Sequence, residues 1–274
     1  MATDMEHRTN VSAVASVRQP NWCSRRPDPG GCSPAIDLSP PPDRPDPAIY
    51  SQAPLLAAAT TATWDNPDIV LYAAVQHTGS SWRIADGWFL DNVKITVRNR
   101  SLTAAAINMV VTVSYSRIGI GLPRTPLTTQ LVSLEAGGSR QLIIPLPPAV
   151  LAQTEKALAL FVDVSHPYDL DATNNHGESI SIISLIGAGL SGVIPIKLGN
   201  TTSSPITYAL SVEPTNVTVS LSNTNVTVGP GATASVTASH TTLLPTPSQT
   251  SFTVVARDAI GNLVGGFTSI LYFG

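Results

Sequence analysis

The stretch that decides the fold reads Thr215-Asn216-Val217-Thr218-Val219, then Asn225-Val226-Thr227-Val228, then Ala234-Ser235-Val236-Thr237-Ala238. Apolar and small polar side chains alternate at period two, which puts one kind on each face of an extended chain. Asn, Gly and Pro separate the runs. Short half-buried strands with turn residues between them are the pattern of an antiparallel sandwich. Working outward, Phe252–Ala256, Ile194–Leu198, Thr207–Val212 and Thr268–Phe273 carry the same character, which makes seven strands between Val193 and Gly274.

Upstream, Ile69–Val75, Asn92–Val97, Ile107–Tyr115, Thr128–Val132, Gln141–Ile144, Ala157–Val164 and Glu178–Ser184 form a second set of seven candidate strands. Leu134-Glu135-Ala136-Gly137-Gly138-Ser139 is a tight turn whose glycines supply positive φ. The expected architecture is all-β: two tandem immunoglobulin-like sandwiches, residues 64–186 and 193–274, joined by a Gly-rich hinge at 187–192. Residues 1–63 precede them as an extended arm. Pro27, Pro29, Pro40-Pro41-Pro42, Pro45 and Pro47 remove backbone donors and fix φ, so the arm makes no core of its own. It either stays free or orders against a neighbouring domain or subunit, with Trp22, Ile49, Tyr50 and Leu55-Leu56 as apolar anchors.

Asn92-Val93-Lys94-Ile95-Thr96-Val97-Arg98-Asn99, the Leu134–Ser139 turn, Phe161-Val162-Asp163 and Asp171-Ala172-Thr173-Asn174-Asn175 follow one another in an order that resembles the bacterial cell-adhesion-related domain family. In that family a strand ending in Asn, an L-x-x-G turn and an Asn-Asn turn recur within an immunoglobulin-like sandwich; here Arg100-Ser101 stands in place of the usual Thr-Gly. Val228-Gly229-Pro230-Gly231-Ala232-Thr233 and Phe252-Thr253-Val254-Val255-Ala256 similarly resemble immunoglobulin-like accessory modules of bacterial surface proteins and glycosidases. The resemblance implies fold first, and adhesion or accessory binding second.

Composition narrows the roles. Of 274 residues, 43% are hydrophobic, enough for a core, while charged residues make up only 12% against a usual share of about 25%. The net charge is −3 without a basic block, so binding to nucleic acid by counterion release has no electrostatic basis. Ser179–Ile196 is uncharged over a length near that of a membrane span, but its serines, glycines and Pro195 fit two strands and a hinge better than a helix. Cys23 and Cys32 lie in the Pro-rich segment, as a disulfide-closed loop in an oxidising compartment or as two free thiols. Residues 1–20 never reach the apolar run of a secretory signal. The expectation is cytoplasmic synthesis, within an assembled particle, or an extracellular place if a leader has been removed.

Chemistry-bearing patterns are sparse. Gly187-Ala188-Gly189-Leu190-Ser191-Gly192 has dinucleotide-loop spacing, yet a helix must follow such glycines to hold a pyrophosphate. Pro195 alone costs a helix interior about 3 kcal/mol. The glycines therefore read as hinge, and no organic cofactor is expected. Asp169, Asp171 and Asn174 offer oxygen ligands for Ca²⁺ from one loop, or turn caps bonding to their own backbone. His166 and His176 lack the cysteine company of a zinc site. Trp64, Trp82 and Trp88 would stack on a glycan if exposed at a rim, or plug the core. There is no G-x-S-x-G elbow, and the histidines are scattered. Asn10, Asn99, Asn200, Asn216 and Asn225 stand in glycosylation sequons.

The expectation is thus a non-enzymatic structural or interaction subunit of a larger bacterial or phage-like assembly. Protein partners or further copies of itself would be met through the arm and the sandwich edges. A glycan-binding or adhesin module is the alternative, and an enzyme the remote one.

Overall fold

The computed structural model describes residues 43–72, 75–78, 81–84, 89–153, 158–186, 191–213, 215–241 and 248–273. Along the chain run β1 (Pro47–Ala48), α1 (Gln52–Ala57), β2 (Ile69–Tyr72), β3 (Val75–Thr78), β4 (Ser81–Ile84), β5 (Phe89–Asn99), β6 (Ala106–Arg117), β7 (Thr125–Leu134) and β8 (Ser139–Pro145). There follow α2 (Pro148–Gln153), β9 (Leu158–Ser165), β10 (His176–Ser179), β11 (Ser181–Ile186), β12 (Ser191–Gly199) and β13 (Ile206–Val212). The last strands are β14 (Thr218–Leu221), β15 (Asn225–Val228), β16 (Thr233–Thr241), β17 (Ser248–Arg257) and β18 (Leu263–Phe273). The protein is all-β in character, and its strands form two immunoglobulin-like sandwiches.

In the first sandwich one sheet sets β5 between β8 on one side and β1 and β2 on the other, all antiparallel. The facing sheet runs β10-β9-β6-β7. Alternation decides which side chains meet. Val93, Ile95 and Val97 of β5 and Met109, Val111 and Val113 of β6 point inward and are buried, joined by Leu142, Ile144, Leu160 and Val162. The second sandwich opposes β11-β18-β17-β13-β15 to β12-β16-β14. β11 pairs with β18 in parallel, from Ser181↔Thr268 to Ile186↔Phe273. Its core holds Ile194, Ile196, Tyr208, Val236, Phe252, Val254 and Phe267.

Both sandwiches close one end with the same asparagine clasp. Asn99 ends β5, is 1% exposed, and donates through Nδ2 to the carbonyls of Ala104 (2.7 Å) and Glu135 (3.1 Å). Asn200 follows β12, is 2% exposed, and donates to Ser204 (2.7 Å) and Val228 (2.9 Å). In each case Oδ1 accepts from the backbone N–H two residues on, that of Ser101 or Thr202. Each clasp holds a turn whose glycine, Gly137 or Gly231, has φ +65°. The two modules, too diverged to read as a repeat, thus share a device that ties the end of one strand to a turn in the opposite half.

Two expected boundaries move. Residues 181–186, assigned by their sequence to the first sandwich, pair with β18 in the second, so the change of sandwich falls at Ile180. Ser191 and Gly192, expected in a hinge, lie within β12; residues 187–190 are outside the described residues. The expected arm is also shorter than 1–63. From Asp43 the chain is built into the fold: β1 pairs with β5, Ala48 and Ile49 are buried, and Leu55 and Leu56 of α1 pack on the second core. Apolar residues explain this, since their burial offsets the loss of chain freedom.

Candidate functional site

The most chemically dense place among the described residues is the seam between the sandwiches, centred on Glu178 of β10. Its carboxylate accepts from three directions: Trp64 Nε1 to Oε2 at 2.8 Å, Arg124 Nη2 to Oε1 at 2.9 Å, and His176 Nε2 to Oε1 at 3.1 Å. The Arg124 guanidinium also lies over the Phe161 ring, 3.7 Å from its centre, a cation–π contact. The backbone of Glu178 is held as firmly. Gln52 Nε2 donates to its carbonyl at 2.6 Å, Gln52 Oε1 accepts from its N–H at 3.3 Å, and Asn66 Nδ2 adds a bond to the carbonyl at 3.1 Å. The carboxamide of Gln52 thereby occupies the place that a neighbouring strand's peptide would take along β10.

β-Strand geometry assembles the row. His176 and Glu178 are two apart on β10 and share a face. The register sets His176 opposite Asp163 and Glu178 opposite Phe161 on β9. His176 Nδ1 contacts Asp163 Oδ1 at 2.6 Å. Burial lowers the pKa of His176, but hydrogen bonds to Asp163 and Glu178 and their negative charges outweigh it and bring the value to about 9. The bond to His176 in turn holds the Asp163 carboxyl below its usual range, against a smaller opposing effect of burial. Both ring nitrogens face carboxylates, so both donate, and the imidazolium is the standing form at neutral pH. Such a ring has no lone pair for a metal and no vacant nitrogen for a nucleophile. The arrangement is an ion-paired row, Asp163–His176–Glu178.

Around this hub the two sandwiches are joined by backbone. Trp64, fully buried, presses its indole on Gly266 of β18: a Cβ there would lie 2.5–2.6 Å from three ring atoms. Its carbonyl accepts from Ile180 N–H at 2.8 Å, while its own N–H donates to Thr268 Oγ1 at 2.8 Å. The loop between β6 and β7 reaches across to β12 as a parallel bridge, Ile120 N–H to Lys197 O (2.9 Å) and Gly199 N–H to Ile120 O (2.8 Å). Gly121, at φ +68°, permits that approach beside the Tyr208 hydroxyl.

The residues singled out from sequence fall in different places. Trp64 is in the seam, with no face open to a sugar. Tyr50 lies nearby, its hydroxyl accepting from Thr63 N–H at 3.1 Å and its N–H donating to Asp68 Oδ2 at 2.8 Å. Trp22 and Trp88 are outside the described residues, as are Cys23 and Cys32; Trp82 is carried by β4, with its side chain outside them. Asp169, Asp171 and Asn174 do share a loop, where the carboxylate oxygens and the Asn174 amide nitrogen meet local partners, while Asn174 Oδ1 is buried without one among the described residues. Asp171 Oδ1 caps Thr173, Asp169 Oδ1 accepts from Asp171 N–H, and Asn174 Nδ2 donates to Asp46 at 2.9 Å. Among the described residues no three His, Cys, Asp or Glu side chains converge on a metal-sized space. No described helix is long and apolar enough to cross a membrane.

Sequence reading missed Gln52, Arg124, Glu178 and Gly266. One signal was available: His176-x-Glu178 at period two with a second acid, Asp163, one strand away.

No family model matches the chain, and no curated protein matches it. Solved structures show faint likenesses. An MSP family member from C. elegans is 9% identical, over 34% of this chain and 92% of its own, with a TM-score of 0.26. The alpha-2-macroglobulin of E. coli is 10% identical over 67% of this chain and 16% of its own, at 0.29. The VesB protease of Vibrio cholerae is 11% identical over 65% and 67%, at 0.25. The functional reading is taken from the chain's own residues.

Proposed function

We propose that the chain is a non-catalytic structural and interaction subunit in which two immunoglobulin-like sandwiches are locked into one stiff piece that meets protein partners at its strand edges. The observation that carries this is the self-saturation of the seam. Its acids, His176, Arg124 and the Trp64 indole bond to one another within the first sandwich, and Trp64 in turn packs on Gly266 and donates to Thr268 of the second, so the cluster best equipped for chemistry braces the joint instead. A direct passage from β10 to β11 through one residue, Ile180, leaves little slack between the sandwiches. The low share of charged residues, 12%, and the apolar anchors before the first sandwich support a place for such a subunit in a larger bacterial or phage-like assembly. The test is the size of the protein in native extract, with identification of what co-migrates. Migration above its own mass with defined partners is expected. A lone monomer at every concentration would overturn the reading.

A further inference from the structure

Strand edges are templates for pairing, and soluble proteins cover, shorten or charge them. This chain does so nearly everywhere. β10 is capped by the Gln52 carboxamide, and β12 is bridged by Ile120. β14 and β15 are four residues each, and β1 is two. β8 carries Arg140 and ends on Pro145, and β11 runs six residues. β7 is the exception. It is the outer strand of its sheet, ten residues long, with no charged side chain and a proline only at its second position. Among the described residues it is the longest edge strand, and no described strand pairs with its free side. Leu131, on its outward face, is 67% exposed.

We infer that β7 is the docking strand of this subunit and that its occupant is β7 of a second copy, running antiparallel. This rests on the reading of the chain as an interaction subunit and specifies where it interacts. Three features select a second copy over an unlike peptide. The strand is neutral throughout, so two copies meet without like-charge repulsion. Turned about Gln130, the strand sets Val132 of one copy opposite Thr128 of the other and Leu127 opposite Ser133, pairs with neither like charges nor two bulky side chains. A twofold axis through Gln130 keeps Val132 and Leu134 facing each copy's own core and sets Leu131 of one copy beside Thr129 of the other, covering both exposed leucines. The result is one sheet continuous across the pair, held by main-chain hydrogen bonds.

The test is sedimentation equilibrium of the full chain and of Leu131→Lys, with hydrogen exchange of the peptide 125–134 read at low and high protein concentration. The natural chain is expected to dimerise, with β7 amides gaining protection as concentration rises. Leu131→Lys places two ammonium groups near the axis and is expected to raise the dissociation constant by about tenfold or more, with an unchanged thermal melt. A dimer indifferent to Leu131→Lys, with no change in β7 exchange, overturns the inference while leaving an interaction subunit standing. A chain that is monomeric alone yet bound to other proteins in extract does the same. A monomer without partners overturns both readings.

Discussion

The indole of Trp64 rests on Gly266, where even a methyl group would sit 2.5–2.6 Å from three ring carbons. Trp64 lies between β1 and β2 of the first sandwich and Gly266 in the final strand of the second, so one contact joins positions 202 apart in the chain. Gly266→Ala must displace the ring or the strand, and overpacking of this kind costs about 1–3 kcal/mol. Trp64→Ala should cost more, about 3–5 kcal/mol, by emptying the same space. Urea denaturation of both single variants and the double variant checks this. If the alanine at 266 is harmless beside the native tryptophan, the face-on packing is wrong.

The ion-paired brace gives the protein a defined alkaline sensitivity. His176 is held at about 9, above the ordinary value near 6.5 that it takes in the unfolded chain. The folded state therefore binds the proton more tightly, and its contribution is complete below about 6.5 and lost as pH rises through about 9. Asp163 is shifted the opposite way, so its contribution is present above the normal carboxylate value and lost in acid. The stability difference between the natural chain and His176→Asn should be largest between these limits and vanish past about pH 9. A denaturation series in pH reads it; a constant difference would exclude the imidazolium.

The strands were legible because period-two alternation is local, and each apolar face needed only a partner sheet to cover it. The seam was not. Its members, Gln52, Trp64, Arg124, Asp163, His176 and Glu178, come from parts of the chain up to 126 positions apart and meet only once the first sandwich has folded. The boundary at Ile180 was hidden for another reason. From Ser179 to Ile186 the side chains are uniformly small or apolar, so no change of period marks where one sheet hands over to the next. Trp64 was noticed, but sequence offers no way to choose between a rim and a buried joint when the deciding partner is a glycine.

Buried His240 of β16 sets an acid limit on the second sandwich. It is 2% exposed and faces Gly192 and the Phe252 ring, 5.9 Å away, and among the described residues its Nδ1 has no hydrogen-bond partner. Burial lowers its pKa. The unfolded chain then binds more protons below about 6.5, so stability is full above that value and falls as pH drops. His240→Leu should flatten this limb below about pH 6.5 without affecting the alkaline one governed by His176. Loss of acid sensitivity from His176→Asn instead would reverse the assignment.

The paired clasps make the sharpest comparison between the two halves. Asn99→Ala and Asn200→Ala each remove two bonds to carbonyls and one from a backbone N–H, most of them partly buried, and leaving a buried group unsatisfied costs about 1–3 kcal/mol, less where water reaches it. Because the amides are buried and fully bonded, neither sequon is open to a glycan, whereas exposed Asn216 and Asn225 are. Equal destabilisation of the two halves is the expected result, read by hydrogen exchange within β8 for Asn99→Ala and within β16 for Asn200→Ala. If exchange rises in only one half, the clasps are alike in shape and unlike in role. If the two respond together to either substitution, the seam couples them and the sandwiches unfold as a single cooperative unit.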